Sequence, residues 1–242
     1  RVVLVDVGLG DKSSDKFREI YRVEPEPGLF TSLAALGIAP GDVTDVILTH
    51  LHFDHAGGST AHTPVGLRPT FPNARWYVQR RNWENAHAPN PRERASYMPE
   101  NYDALHEAGV LTLWDGACTP WPGVEIVPID GHTRGQQIVR VSGSRGSAWY
   151  VADLMPTAAH VRIPYVMGYD IAAIETMPEK RAVLERAVAD GSWVVLEHDP
   201  DVAMARPAAE GDDFTWAERV SADRSEEHTS ELQSHSDLVC RL

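Results

Sequence analysis

The apolar run Val2-Val3-Leu4-Val5 predicts a buried strand over residues 2–7, closed by the turn Gly8-Leu9-Gly10. Leu29, Leu33 and Leu36 recur at helical spacing, so residues 28–36 read as a helix that stops at Gly37. A β-branched run at 43–48 and a second run at 75–78 read as strands. Between 79 and 106 the chain is polar and helix-prone, broken by Pro89, Pro91 and Pro99. Strands are expected at 124–129, 137–141 and 148–152, with Ser142 to Gly146 as a hairpin turn between the last two. Thr176-Met177-Pro178-Glu179 has the form of a capping box and opens a helix running to Asp190, stopped by Gly191. A last buried strand is expected at 193–196. Strands alternating with helices, without a repeat or a linker, describe one α/β domain over residues 1–223.

Both ends depart from this pattern. Arg1 stands directly before a buried strand, which rarely opens a domain, so N-terminal sequence is expected to be missing and the absence of a signal peptide carries no information. Arg224 to Ser234 resembles the translation of a sequencing-adapter oligonucleotide. Residues 224–242 are therefore read as a non-native tail, which removes His228, His235 and Cys240 from consideration.

Composition narrows the function classes. The 242 residues carry 22 Lys+Arg against 35 Asp+Glu, a net charge of -13 that argues against a nucleic-acid partner. No apolar run has the ~20 residues of a membrane span. With Cys118 and Cys240 as the sole cysteines, no disulfide framework is expected, and Cys118 reads as a small buried apolar residue. A small-molecule substrate, no membrane or nucleic-acid partner and a cytoplasmic location are the expectation; a homodimer is compatible with it.

The chemistry gathers just past the strand ends. His50-Leu51-His52-Phe53-Asp54-His55 follows the strand at 43–48. In extended chain, residues two apart face one side, so His50 and His52 reach one metal ion together. Asp54 and His55, being adjacent, need a turn to face a second ion, and Ala56-Gly57-Gly58 supplies the backbone freedom for it. His132, Asp153 and His198 each follow a predicted strand as well, which makes five imidazoles and two carboxylates at the ends where α/β sheets place ligands. Nitrogen and oxygen donors alone suit Zn²⁺ and also admit Mn, Fe or Co.

The pattern His50-x-His52-x-Asp54-His55, Gly131-His132-Thr133, Asp153 and His198, with the Asp6-x-Gly8 turn, resembles the metallo-β-lactamase fold superfamily of hydrolases. The resemblance implies an αββα sandwich, here without its first N-terminal strands. It implies that His50, His52 and His132 bind one ion, that Asp54, His55 and His198 bind a second, and that Asp153 bridges both, with Asp6 bracing the ligand loop. Two divalent ions so held would supply hydroxide near neutral pH and polarise the substrate oxygen, and Asp54 would take a proton and pass it to the leaving alkoxide.

Residues 71–78, 94–102 and 153–160 resemble the quorum-quenching branch that opens N-acyl-homoserine lactones. One position departs from that branch: Pro156 stands where better-known lactonases carry a tyrosine. His160 or Tyr165 is the replacement donor to the substrate carbonyl, and Phe53 heads an aromatic group (Trp76, Tyr77, Trp83, Tyr97, Tyr102, Tyr165, Tyr169) that would line an acyl pocket. The same ligand set also serves an organophosphate triester hydrolase, a glyoxalase II-like thioesterase or a tRNA-processing nuclease, and outside catalysis a non-catalytic signal-binding sensor. The thioesterase would show a basic, tyrosine-rich site near the C-terminus, and no such cluster stands there.

Overall fold

A computed structural model describes residues 1–24 and 28–222; the tail at 224–242 lies outside the described residues. The described residues divide into two compact units, 1–114 and 115–222.

In the first unit the chain runs β1 (Val3–Val5), α1 (Asp15–Tyr21), α2 (Leu29–Ala35), β2 (Asp45–Ile47), α3 (Phe53–Ala56), β3 (Thr60–Thr63), β4 (Gly66–Pro69), β5 (Arg75–Gln79), α4 (Arg80–His87), α5 (Asp103–Glu107) and β6 (Leu111–Trp114). Strands β1, β2, β5 and β6 form a parallel sheet in that order, and β3 with β4 makes a separate hairpin. Parallel strands must be covered on both faces, which explains their near-continuous apolar runs. Val46, Leu48, Leu51, Phe71, Trp76, Val78, Tyr102 and Leu105 form their core. Each such side chain is worth about 1.5–3 kcal/mol when fully buried.

The second unit carries β7 (Cys118–Trp121), β8 (Val124–Ile129), β9 (Gln136–Gly143), β10 (Gly146–Tyr150), α6 (Ala173–Asp190), β11 (Trp193–Val195), β12 (Val202–Glu210) and β13 (Asp213–Ser221). These seven strands form one sheet in the order β13-β12-β11-β10-β9-β8-β7, antiparallel except for β10 beside β11. A parallel pair needs a crossover, and α6 supplies it. Ile138, Trp149, Val151, Met155, Leu184 and Val194 anchor the core beneath.

Three expectations are corrected. The helix begins at Ala173, three residues before the presumed cap Thr176, and Pro178 lies inside it. Ile171 N–H donates to His132 O and Ala172 N–H to Gly131 O, so tertiary contact sets the start. The strand at 193–196 is not the last: β12 and β13 follow it. Pro207 argues against a strand there, but it sits at an irregularity in the register, where proline is tolerated. Cys118 is half-buried rather than buried.

Candidate metal centre

In the first unit, Asp6 ends β1 and Thr49 to Ala56 continue from β2. Asp6 sits in the left-handed region (φ 57°), which costs a non-glycine residue about 1–3 kcal/mol. Its carboxylate accepts from Thr49 N–H (2.7 Å), from the Thr49 hydroxyl (2.7 Å) and from His55 Nδ1 (2.9 Å). One buried side chain thereby pins the start and the end of the histidine run.

The same bonds decide which imidazole nitrogens are offered. The single Thr49 hydroxyl proton goes to Asp6, so Thr49 Oγ1 accepts from His50 Nδ1 (3.1 Å) and leaves His50 Nε2 as a lone pair. His50 Nε2 and His52 Nδ1 stand 3.0 Å apart, both buried. Two nitrogens on one tetrahedral zinc are about 3.3 Å apart, from Zn–N distances of about 2.0–2.1 Å. The donor pair fits such an ion. Behind His52, the buried Glu93 carboxylate stands 3.9 Å from Nε2. Asp6 engages His55 Nδ1, so His55 Nε2 points the other way, 3.8 Å from Asp54 Oδ2.

The turn that brings Asp54 and His55 to one side is α3, a single helical turn. The following glycines serve close approach rather than backbone freedom. Gly57 keeps right-handed helical angles, and a Cβ on it would lie 2.1 Å from Leu9 O. One on Gly58 would lie 2.2 Å from Val7 O. Lys12 donates to Gly57 O and, at 2.7 Å, to Thr60 O, holding the chain beyond.

In the second unit, His132 follows β8, Asp153 follows β10 and His198 follows β11. Asp153 is buried, and its two oxygens face two imidazoles: Oδ2 lies 3.0 Å from His132 Nε2 and Oδ1 lies 3.1 Å from His198 Nε2. His132 Nδ1 meets Asp170 Oδ1 at 3.1 Å. Burial opposes a charge on His132, but Asp153 and Asp170 together lift its pKa to about 9. Asp153 is aimed by Ala152, which is in the left-handed region at φ 47°.

The other candidates divide sharply. Phe53 meets Phe17 edge-on at 5.1 Å and lines a cavity of about 230 Å³ with Leu9, Lys12, Met98 and Glu100. His160 is half-buried with Nδ1 2.8 Å from Thr157 Oγ1, and burial and Lys180 push its pKa down. Tyr165 is 58% exposed, and its carbonyl accepts from Lys180. Trp76, Tyr97 and Tyr102 belong to the core of the first unit. Pro156 is buried, and its carbonyl accepts from His198 N–H at 3.2 Å. Asp170, Glu93 and Thr49 escape a reading of the sequence, because nothing in their local pattern distinguishes them from ordinary polar residues.

The profile of the Metallo-beta-lactamase superfamily matches residues 1–198. The chain belongs to that superfamily. It has the superfamily's mixed α/β fold and is a metallo-hydrolase with a His/Asp cluster in each unit. Among its relatives, the probable metallo-hydrolase Rv2300c of Mycobacterium tuberculosis is 29% identical over 241 residues, 86% of this chain and 74% of that protein. The N-acyl homoserine lactonase AttM of Azorhizobium caulinodans is 30% identical over 188 residues, 73% of this chain and 65% of that protein. A probable metal-dependent hydrolase from Staphylococcus aureus shares the fold with a TM-score of 0.81 at 26% identity, covering 91% of this chain and 78% of that one. The dizinc quorum-quenching lactonase AidC follows with a TM-score of 0.71 at 20% identity, covering 91% and 76%. Among the described residues, no helix is long and apolar enough to cross a membrane.

Proposed function

We propose that this superfamily member is a dinuclear hydrolase that opens lactone rings such as those of N-acyl-homoserine lactones. In this reading His50, His52 and His132 hold one ion, Asp54, His55 and His198 hold the other, and Asp153 serves both. The observation that carries it is the carboxylate of Asp153, which offers one oxygen toward His132 Nε2 and the other toward His198 Nε2. In the first unit, His50 with His52 and Asp54 with His55 make two further donor pairs, so each ion draws on two pairs. Zinc suits this donor set, which admits Mn, Fe and Co as well. Relatives named as N-acyl homoserine lactonases support the substrate class.

When bound, the ions supply Lewis acidity and activate water near neutral pH. The protein's own groups do the rest. Asp54, half-exposed in the first turn of α3, takes the proton released on attack and returns it to the leaving alkoxide. Thr157 Oγ1 lies 2.8 Å from His160 Nδ1 and orients the ring, and in this reading His160 Nε2 faces the substrate carbonyl in place of the absent tyrosine. Phe53 and Phe17 give the acyl chain an apolar wall.

The test is a panel of long- and short-chain acyl lactones, a phosphotriester and a glutathione thioester on zinc-loaded protein, with metal counted in each variant. Lactones turn over fastest, and His52→Ala or Asp153→Ala loses both turnover and bound metal. His87→Ala, whose ring bonds Trp83 O (2.8 Å) and Asp103 (2.9 Å), loses neither. Preference for the triester or the thioester overturns the substrate class. Equal damage from His87→Ala overturns the ligand assignment.

A further inference from the structure

The Asp130-Gly131-His132 loop is fastened to the start of α6 through its backbone. Glu179 accepts from Asp130 N–H (2.7 Å) and Gly131 N–H (3.0 Å), while the Gly131 and His132 carbonyls accept from Ala172 and Ile171. Gly131 lies so close that a Cβ on it would be 2.3 Å from Thr176 Oγ1. These bonds fix where the loop runs. None of them fixes the rotation of the His132 ring or which of its nitrogens is bare.

Asp170 does both. Its carboxylate is 1% exposed and accepts from His132 Nδ1 at 3.1 Å and from the Thr176 hydroxyl at 2.9 Å. A carboxylate is costly to bury unless its bonds persist. With Nδ1 held as the donor, Nε2 is turned toward Asp153, 3.0 Å away. We propose that Asp170 is the positioning residue that selects the metal-binding tautomer of His132, with Thr176 holding Asp170 in place. The inference rests on the reading of His132 as a ligand and adds the device that makes it one. Carboxylates in this relation to a ligating histidine raise its basicity and fix its orientation, and their loss typically costs about 10–100-fold in metal affinity.

The experiment titrates zinc against a competing chelator in the wild type, Asp170→Ala, Thr176→Val and His132→Ala, and follows the imidazole nitrogens of zinc-loaded, ¹⁵N-histidine protein by NMR. Asp170→Ala is expected to bind one zinc equivalent about 10–100-fold more weakly. It also loses the slowly exchanging Nδ1–H signal that is assigned to His132 by its absence from His132→Ala. Thr176→Val is expected to lose a smaller factor in affinity in the same direction, and it still answers the question if Asp170→Ala does not fold. Wild-type affinity and an unchanged Nδ1–H signal in either folded variant overturn the inference. If His132→Ala itself retains both equivalents of zinc, the ligand reading falls, and this proposal falls with it. Loss of an equivalent in His132→Ala with no change in the other two variants refutes the role of Asp170 alone.

Discussion

Lys180 offers a stability measurement independent of metal chemistry. Its side chain is fully buried in α6, and its ammonium donates to three carbonyls, those of His160 (2.9 Å), Arg162 (2.7 Å) and Tyr165 (2.6 Å). Burial lowers its pKa from 10.5 to about 8, with Asp170 and Asp213 opposing the fall. At about 1.4 kcal/mol per tenfold change, the charged form costs the fold roughly 3 kcal/mol. The sign follows from the folded value lying below the unfolded one. Under pH 8 both states are protonated and the cost is present in full. Between pH 8 and 10.5 the folded state releases its proton first and gains stability, and above that the cost is gone. By pH 9.5 about 2 kcal/mol should have been recovered. Lys180→Met removes the titration and takes the ammonium from three carbonyls, of which Arg162 O keeps Tyr165 N–H at 2.9 Å, so it is the less stable protein at neutral pH. Urea unfolding of both, metal-saturated and followed by tryptophan fluorescence near pH 7 and pH 9.5, gives the comparison. The stability difference between wild type and Lys180→Met should grow by about 2 kcal/mol over that interval. A difference that stays constant would show that Lys180 carries no buried charge and would refute this account.

Two further substitutions probe the ligand loop. Gly57→Ala drives a methyl into Leu9 O and should cost about 1–3 kcal/mol in unfolding free energy while weakening metal retention on dialysis; full stability would refute the close-approach role. Asp6→Ala leaves two buried donors of Thr49 and one of His55 unanswered, so a loss of at least about 3 kcal/mol and a lowered metal count are expected, read by urea denaturation and metal analysis.

What the sequence discloses depends on range. The histidine run shows itself because its members crowd into six residues, and the mixed α/β fold shows itself through apolar strands punctuated by turns. The partners that orient the histidines do not. Asp6 is 49 residues from His55, and Asp170 is 38 from His132. A carboxylate at such a distance carries no periodic or local mark. Thr176 and Glu179 actively mislead, because their spacing matches a cap, whereas tertiary structure uses them to secure Asp170 and the Asp130-Gly131 backbone. Glycine spacing is ambiguous in the same way: Gly57 and Gly58 read as a flexible turn and prove to be contact points. Pro207 hides β12 because the register shift that accommodates it exists only once β13 has paired.

The distribution of strain connects these failures to the chemistry. Three non-glycine residues adopt left-handed angles among the described residues. Arg22 merely ends α1, where that geometry is ordinary for a helix terminus. The other two, Asp6 and Ala152, stand where β1 ends and where β10 hands over to the Asp153 turn. A strand left to its own preferences would continue extended and carry its next carboxylate away from the histidines. At Asp6 the strain is balanced by three charge-assisted or buried hydrogen bonds, each worth about 1–3 kcal/mol if lost. At Ala152 the 3₁₀ turn it opens places both oxygens of Asp153 at imidazoles. Local propensity therefore fails as a guide at the positions where the fold gives up stability to aim a candidate ligand or its brace, and a strained non-glycine residue at a strand end marks Asp6 and Asp153 where local pattern does not.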